Sequence, residues 1–371
     1  MIFPDFLQTL SEHWQSHMPF VAYRKPNETT VKAFLQSTDE LFLVKDYKES
    51  GFVMAPFDSR DDAVLLPLEA CESLQVEFSS DIVSGIQSVT SESINQVEKE
   101  QHVELVSKVI KAIRAGLFDK VVLSRQETIK TFYSPIELFE KLLETYPTAF
   151  VFLWYHPKVG TWLGATPETL LSIENNRFKT MALAGTQAFN GSTNVSWGAK
   201  EKEEQGIVTK AIIENLKPTV ETFSISEPIA VKAGNLLHLK TTISGSLKNA
   251  DLESLLESLH PTPAVCGFPK QAAKKFILQN EGYNRTFYTG FLGELNFQET
   301  KTRNTNRRNV ENNAYGTVKK VSNLFVSLRC MQLTNEREAI LYIGGGITKD
   351  SDPEAEWEET VEKAKTMKQV L

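Results

Sequence analysis

Cysteine, long apolar runs and excess positive charge are all scarce in this sequence, and each scarcity excludes something. The three cysteines among 371 residues, Cys71, Cys266 and Cys330, lie far apart with no C-x-x-C spacing. Neither a zinc site nor a disulfide framework is indicated, and a reducing, cytoplasmic setting is expected. No apolar run approaches the roughly eighteen residues of a membrane span. The N-terminal "MIFPDFLQTLSEHWQSHMPF" carries acids and lacks a basic segment ahead of an apolar core, so no secretory signal is expected. A net charge of −7 argues against a general nucleic-acid binder. Internal repeats and low-complexity tracts are missing too. What remains is ordinary soluble composition, 41% hydrophobic and 23% charged, in a chain long enough for a large buried core.

The first hundred residues read as short strands and turns: "FVAYRKP", "ELFLVKDY", "GFVMAPF". The polar run that follows suggests a boundary near residue 95, between a strand-rich region (1–95) belonging to the same fold and a main region (96–371). Val103, Val106, Ile110, Ile113 and Leu117 keep helical spacing, with Gly116 near the end. Next come a strand at "KVVLSRQETI", a helix through "SPIELFEKLLETY", and strands at "AFVFLWYH" and "TWLGATPETLLSI". A further helix spans Lys200 to Leu216, halted by Pro218. Long strands mixed with helices, without a βαβ rhythm, predict an α+β fold with largely antiparallel sheet. The basic stretch "FQETKTRNTNRRNVENNAYGTVKK" has one aromatic, Tyr315, and so little for bases to stack on; it reads as a solvated insertion between two strands.

Two acidic pairs stand out. In "LYIGGGITKDSDPEAEWEETVEKAKTM", Glu356 and Glu359 share one helix face just beyond a strand stripped of side chains by three glycines. An ordinary solvated pair of Glu359 with Lys363 explains part of this equally well. In "WGAKEKEEQGIVTKAIIENLK", Glu201, Glu204, Val208, Ala211 and Asn215 form one helical stripe, so both acids extend an apolar face. Carboxylates turned inward need partners, and two facing pairs suit a hard, oxygen-liganded cation such as magnesium better than zinc.

The motifs "FDKVVLSR", "GATPETLL", "ALAGT", "KEKEEQ", "HPTPAVCGFP", "YTGFLGEL", "LFVSLR" and "GGGI…SDPEAEWEET…K" occur in that order. Over residues 105–367 the chain resembles the chorismate-utilising enzymes: isochorismate, salicylate, anthranilate and aminodeoxychorismate synthases. The resemblance implies sheets packed between helical layers, chorismate as substrate and a magnesium ion held by Glu201, Glu204, Glu356 and Glu359. Family members often carry His after the glutamate matching Glu204; here it is Gln205. Tyr288, Arg329, Lys363, Gly344 and Gly346 match positions that hold the pyruvyl carboxylate, and Gly185 and Thr186 positions at the ring side. Taken singly, Arg329 reads as a structural ion-pair residue and Tyr288 as a core residue.

Lys120 matches the general base that activates water in isochorismate and salicylate synthases; alone, it reads as the exposed end of a strand. Glu168 matches the general acid that protonates the departing 4-hydroxyl, which demands a carboxyl kept protonated in a shielded place; alone, it reads as acid in the first turn of a helix after Thr-Pro. Ala184 stands where aminodeoxychorismate synthases carry a covalent lysine. Ala264 stands where salicylate and anthranilate synthases usually place Thr and isochorismate synthases Ala. His238 matches a position near the site without an assigned role, and reads equally well as a core histidine. The resemblance therefore implies a magnesium-dependent isochorismate synthase, monomeric, without an obligate partner subunit, nucleic acid or membrane. Salicylate synthase and a non-catalytic chorismate binder are the alternatives.

Overall fold

The structure is a computed structural model and describes residues 1–78, 95–234, 236–248, 251–301, 317–335 and 337–371. The first region forms α1 (Phe3–Gln15), β1 (Phe20–Arg24), β2 (Thr30–Gln36), β3 (Phe42–Leu43), β4 (Gly51–Ala55), β5 (Val64–Pro67) and β6 (Cys71–Glu77). After α2 (Gln96–Arg114) come β7 (Lys120–Lys130), α3 (Pro135–Thr145), β8 (Phe150–His156), β9 (Gly160–Thr166), β10 (Thr169–Glu174) and β11 (Arg177–Ala188). Then follow α4 (Ala199–Leu216), β12 (Val220–Ile225), β13 (Ile229–Ala233), β14 (Leu236–Leu247), α5 (Leu252–Leu259), β15 (Gly267–Phe268) and α6 (Lys270–Asn280). The chain closes with β16 (Phe291–Lys301), β17 (Thr317–Val326), β18 (Cys330–Asn335), β19 (Glu338–Ile347) and α7 (Pro353–Lys368).

These strands build two antiparallel sheets, in the orders β15-β7-β19-β18-β9-β8-β1-β2-β6 and β12-β14-β11-β10-β17-β16-β4-β5-β3. The sheets pack face to face over an aromatic core. Phe150 stacks on Phe325 across the gap at 4.1 Å between ring centroids, and Tyr23 meets Phe52 at 5.1 Å. Helices α1, α3 and α7 cover the outer face of the first sheet, through Phe6, Leu138, Phe139 and Met367. Helices α4 and α5 cover the second, through Val208, Ile212, Leu255 and Leu259. The α+β class, with antiparallel sheets between helical layers, is borne out.

Local sequence explains the helix ends. Asn95 accepts from the backbone N–H of Val97 at 3.1 Å and starts α2; Ser134 and Glu137 form a reciprocal capping box ahead of Pro135. Asp352 accepts from Ala355 N–H at 2.9 Å and starts α7.

Three local expectations need correction. Helix α2 ends at Arg114, because Gly116 adopts φ +79° and turns the chain; Leu117 is left exposed. The segment "ELFLVKDY" yields only Phe42–Leu43 as strand, since Tyr47 takes φ 56° and Glu49 accepts from Lys45 N–H, closing a turn. No helix starts at Glu168: Pro167 and Glu168 are the break between β9 and β10. Most of the basic stretch (302–316), like the polar run at 79–94, lies outside the described residues.

Candidate functional site

Strand β19 answers the question its glycines raise. It pairs with β7 so that Gly344 lies opposite Ser124 and Gly346 opposite Val122. A Cβ on Gly344 would come 2.6 Å from the Tyr288 hydroxyl; one on Gly346 would come 2.3 Å from Glu204 Oε1 and 3.0 Å from Lys120 Cε. The missing side chains make the space in which these three groups meet.

Lys120 is not the exposed end of a strand. It has no exposed surface, because β15 pairs beside it through Phe268. Its Nζ lies 2.9 Å from Glu204 Oε1 and has no aligned hydrogen-bond acceptor. Glu204 also accepts from the backbone N–H of Gly185 at 3.2 Å. Gly185 can aim that N–H because it sits at a bulge in the β11–β14 pairing with φ +74°.

Glu168, in the β9–β10 break, is 2% exposed, and one of its oxygens, Oε1, has no partner. Burial pushes its carboxyl up to about 8, against the opposing pull of the Lys120 and Arg329 charges. At neutral pH it is an acid with a proton to give.

Arg329 adopts φ 46° and sits deep in the fold with its guanidinium open to the cavity. No carboxylate pairs with it among the described residues; its polar side-chain contact is His238 Nε2, 3.4 Å away. Burial lowers its pKa below the usual arginine value. His238 Nδ1 is 3.1 Å from the Gly185 carbonyl. Burial, then the Arg329 and Lys363 charges, push the imidazole down to about 3, so it is neutral. The tautomer with Nδ1–H donating to Gly185 and Nε2 accepting from Arg329 satisfies both contacts, which gives His238 a place in the site that the sequence left open. Tyr288 is buried, which raises its hydroxyl well above the ordinary value.

Glu168, Gly185, Thr186, Glu204, Ala264, Tyr288, Arg329, Gly344, Gly346 and Lys363 all line one cavity, together with His238. Lys120, Glu201, Glu356 and Glu359 stand outside that lining; Lys120 meets the cavity wall through Glu204. Glu356 is 1% exposed; its Oε1 pairs with Lys200 at 2.7 Å and its Oε2 has no partner. Burial and then the Glu359 charge raise its pKa. Glu359 pairs with Lys363 at 2.5 Å, and Lys363 also donates to the Gly344 carbonyl at 2.9 Å. Burial alone would raise Glu359, but Lys363 beside it brings it below the ordinary carboxylate value. The Glu359–Lys363 pair exists, therefore, but recessed at the cavity wall. Gln205 is buried and donates to the Ala182 carbonyl at 3.3 Å and to Thr241 at 2.9 Å, tying α4 to β11 and β14.

Among the described residues no three acidic or imidazole groups close to metal-ligand spacing. Lysines stand between them instead. The Lys200 ammonium, held by Glu356, also feels the charges of Glu359 and Glu204. Lys200 sits against Glu356 where a cation would, and the buried Glu356 Oε2 without a partner is an oxygen donor of the kind a hard cation takes.

A buried acid and an arginine with no carboxylate partner among the described residues line one cavity between the helical layers of this α+β sandwich, with a buried lysine behind Glu204, an arrangement suited to an anionic ligand. The sequence pattern of the family described as "Chorismate binding enzyme" matches residues 53–301, and a second pattern, "chorismate binding enzyme", matches 314–369. The chain belongs to the chorismate-binding enzymes. It is 28% identical over 311 residues to the isochorismate synthase MenF of Escherichia coli, covering 80% of this chain and 67% of that one. It is 32% identical over 285 residues to the "Salicylate biosynthesis isochorismate synthase" of Pseudomonas aeruginosa, covering 74% of this chain and 55% of the relative. Its fold matches a putative 2,3-dihydroxybenzoate-specific isochorismate synthase, DhbC, from Bacillus anthracis, with TM-score 0.75, 23% identity and coverage of 98% and 99%.

Proposed function

We propose that the chain is an isochorismate synthase, adding water at carbon 2 of chorismate and expelling the 4-hydroxyl. The observation that carries the reading is Glu168, held protonated to about 8, in a cavity with Arg329, which has no carboxylate partner among the described residues, while Lys120, without exposed surface, lies behind the wall residue Glu204. As base, Lys120 acts in its neutral amine form, taking a proton from water while the oxygen bonds to carbon 2. The ring double bond shifts, the bond from carbon 4 to its hydroxyl breaks, and Glu168 gives its proton to the leaving oxygen; one water enters and one leaves. Arg329 offers a fork to a substrate carboxylate, oriented by neutral His238, with the Tyr288 hydroxyl, Lys363 and the backbone at Gly344 and Gly346 nearby. Gly185 and Thr186 bound the ring. Glu201, Glu204, Glu356 and Glu359 would hold magnesium, whose charge offsets the ring carboxylate. Ala264 puts no hydroxyl into the wall, which favours water and a reaction that stops at isochorismate. The reading implies a cytoplasmic monomer acting without a partner subunit.

The test is incubation of the pure protein with chorismate and magnesium, followed by chromatography. Moving a hydroxyl around a cyclohexadiene keeps the kinds of bond unchanged, so the reaction should approach a mixture of the two isomers from either side. Near-complete conversion to salicylate and pyruvate identifies the sibling activity, and unconsumed chorismate refutes the proposal. Full turnover in excess chelator removes magnesium from it.

A further inference from the structure

Every described residue lining the catalytic cavity is buried or half-buried, so a ring bearing two carboxylates needs a way in. A second cavity shares three walls with the first, Pro167, Leu183 and Arg329, and reaches solvent where Thr148 and Lys232 are exposed. Its described lining contains Lys232, Lys240 and Arg329 and no aspartate or glutamate.

The three cations descend in order of depth. Lys232 is exposed, its ammonium 4.2 Å from the Phe189 ring centroid. Lys240 is half-buried on β14, paired across the ladder with Leu183 of the shared wall on one side and Ile229 on the other. Arg329 is at the inner end and belongs to both cavities. None of the three has a carboxylate partner among the described residues, although lysines elsewhere in the chain, such as Lys25, Lys99 and Lys274, do. Burial, then the Lys179 charge, hold the Lys240 ammonium below its ordinary value, so an arriving anion relieves a cost the fold already bears.

We infer that this second cavity is the antechamber of the site: a positively lined passage through which a dicarboxylate reaches Arg329 and the product leaves. The inference rests on the functional reading above. A chain of net charge −7 repels a dianion at long range. Unpaired cations set in low-dielectric walls reverse that field locally and raise the concentration of the anion at the entrance. Lys232 and Lys240 steer; they do not touch the reacting atoms.

The test compares wild-type protein with Lys232→Gln, Lys240→Gln, the double variant and Lys240→Glu across a range of ionic strength. In the double variant kcat/KM for chorismate at low salt should fall about three- to tenfold, with kcat held within about twofold, because steering raises capture rather than chemistry. Lys240→Glu should fall further, and the salt dependence of kcat/KM should flatten in each variant. Unchanged kcat/KM and unchanged salt dependence, in the exposed Lys232→Gln as in the double variant, overturn the antechamber. If the wild-type protein leaves chorismate untouched, the functional reading fails and the passage is judged by bromide soaked into crystals. An anomalous peak between Lys240 and Arg329, lost in the double variant, supports the passage; its absence in the wild type refutes it.

Discussion

Glu168 holds a proton that most glutamates have lost by neutral pH, and that has consequences for both rate and stability. The folded state keeps the proton up to about 8, while the unfolded chain releases it near 4.5. Between those values the folded state binds more protons, so its stability falls as pH rises. Glu168→Gln is neutral at every pH and escapes this cost. It should lose about 10²–10⁴-fold in turnover yet gain up to about 2–4 kcal/mol of stability at pH 7. Urea unfolding at pH 5 and pH 8 checks it: the variant's advantage should widen with pH, and a constant gap would show that the carboxyl is not raised. Wild-type turnover should likewise decline above about pH 8 as the acid is spent. His238 works in the opposite sense. Its folded value near 3 lies below the unfolded 6.5, so its contribution is present above 6.5 and lost as pH falls towards 3. Lys120→Ala should also cost at least tenfold in turnover; a smaller loss would mean that another group activates the water.

At the scale of elements, two glycines have different reasons for being glycine, and their variants should separate. On β19, an added Cβ at Gly346 would meet the end of a flexible side chain, Glu204 Oε1, and the Cε of Lys120. Gly346→Ala should therefore leave thermal unfolding within about 1 kcal/mol of wild type while displacing the Glu204–Lys120 pair and sharply lowering turnover. At the β11 bulge, Gly185 has φ +74°, and its Cβ would come 3.1 Å from the Glu201 Cβ and 3.2 Å from the Glu201 carbonyl. There the strain falls on backbone, at a cost of about 1–3 kcal/mol, so Gly185→Ala should lose stability and activity together. Equal behaviour of the two variants would contradict this division. Elements carried by periodicity, such as α4 with Val208 and Ala211 inward or the apolar run of β8, were legible in the sequence. What was not legible depended on local turns. Pro167-Glu168 carries the signature of a helix start, but long-range pairing on either side, β9 with β18 and β10 with β17, makes it a break between strands. Lys120 was illegible for a similar reason: its burial comes from Phe268 and Glu204, far along the chain, and no local pattern announces a partner.

At the scale of the whole molecule, the expectation that residues 1–95 share a fold with the rest turns on pairings that cross the boundary. Strand β1 pairs with β2 on one edge and β8 on the other, and every residue of it is buried. Strand β4 pairs with β16 in the second sheet, Phe291 opposite Ala55 and Gly293 opposite Val53. The first region thus contributes strands to both sheets and supplies Tyr23, Phe34, Phe52 and Met54 to the core between them. A fragment of residues 96–371 would expose the edges of β8 and β16 and leave Phe150, Phe152 and Phe325 without their cover. Each large side chain brought back to water costs about 1.5–3 kcal/mol, and these three alone approach the whole stability of an ordinary domain. Bare, apolar sheet edges would also pair with other copies. The fragment should therefore accumulate as aggregate, or as an expanded species that binds hydrophobic dye and melts without a cooperative transition. The two fragments produced together should regain the cooperative transition of the intact chain. A soluble 96–371 fragment that unfolds cooperatively on its own would show instead that the boundary near residue 95 separates two domains.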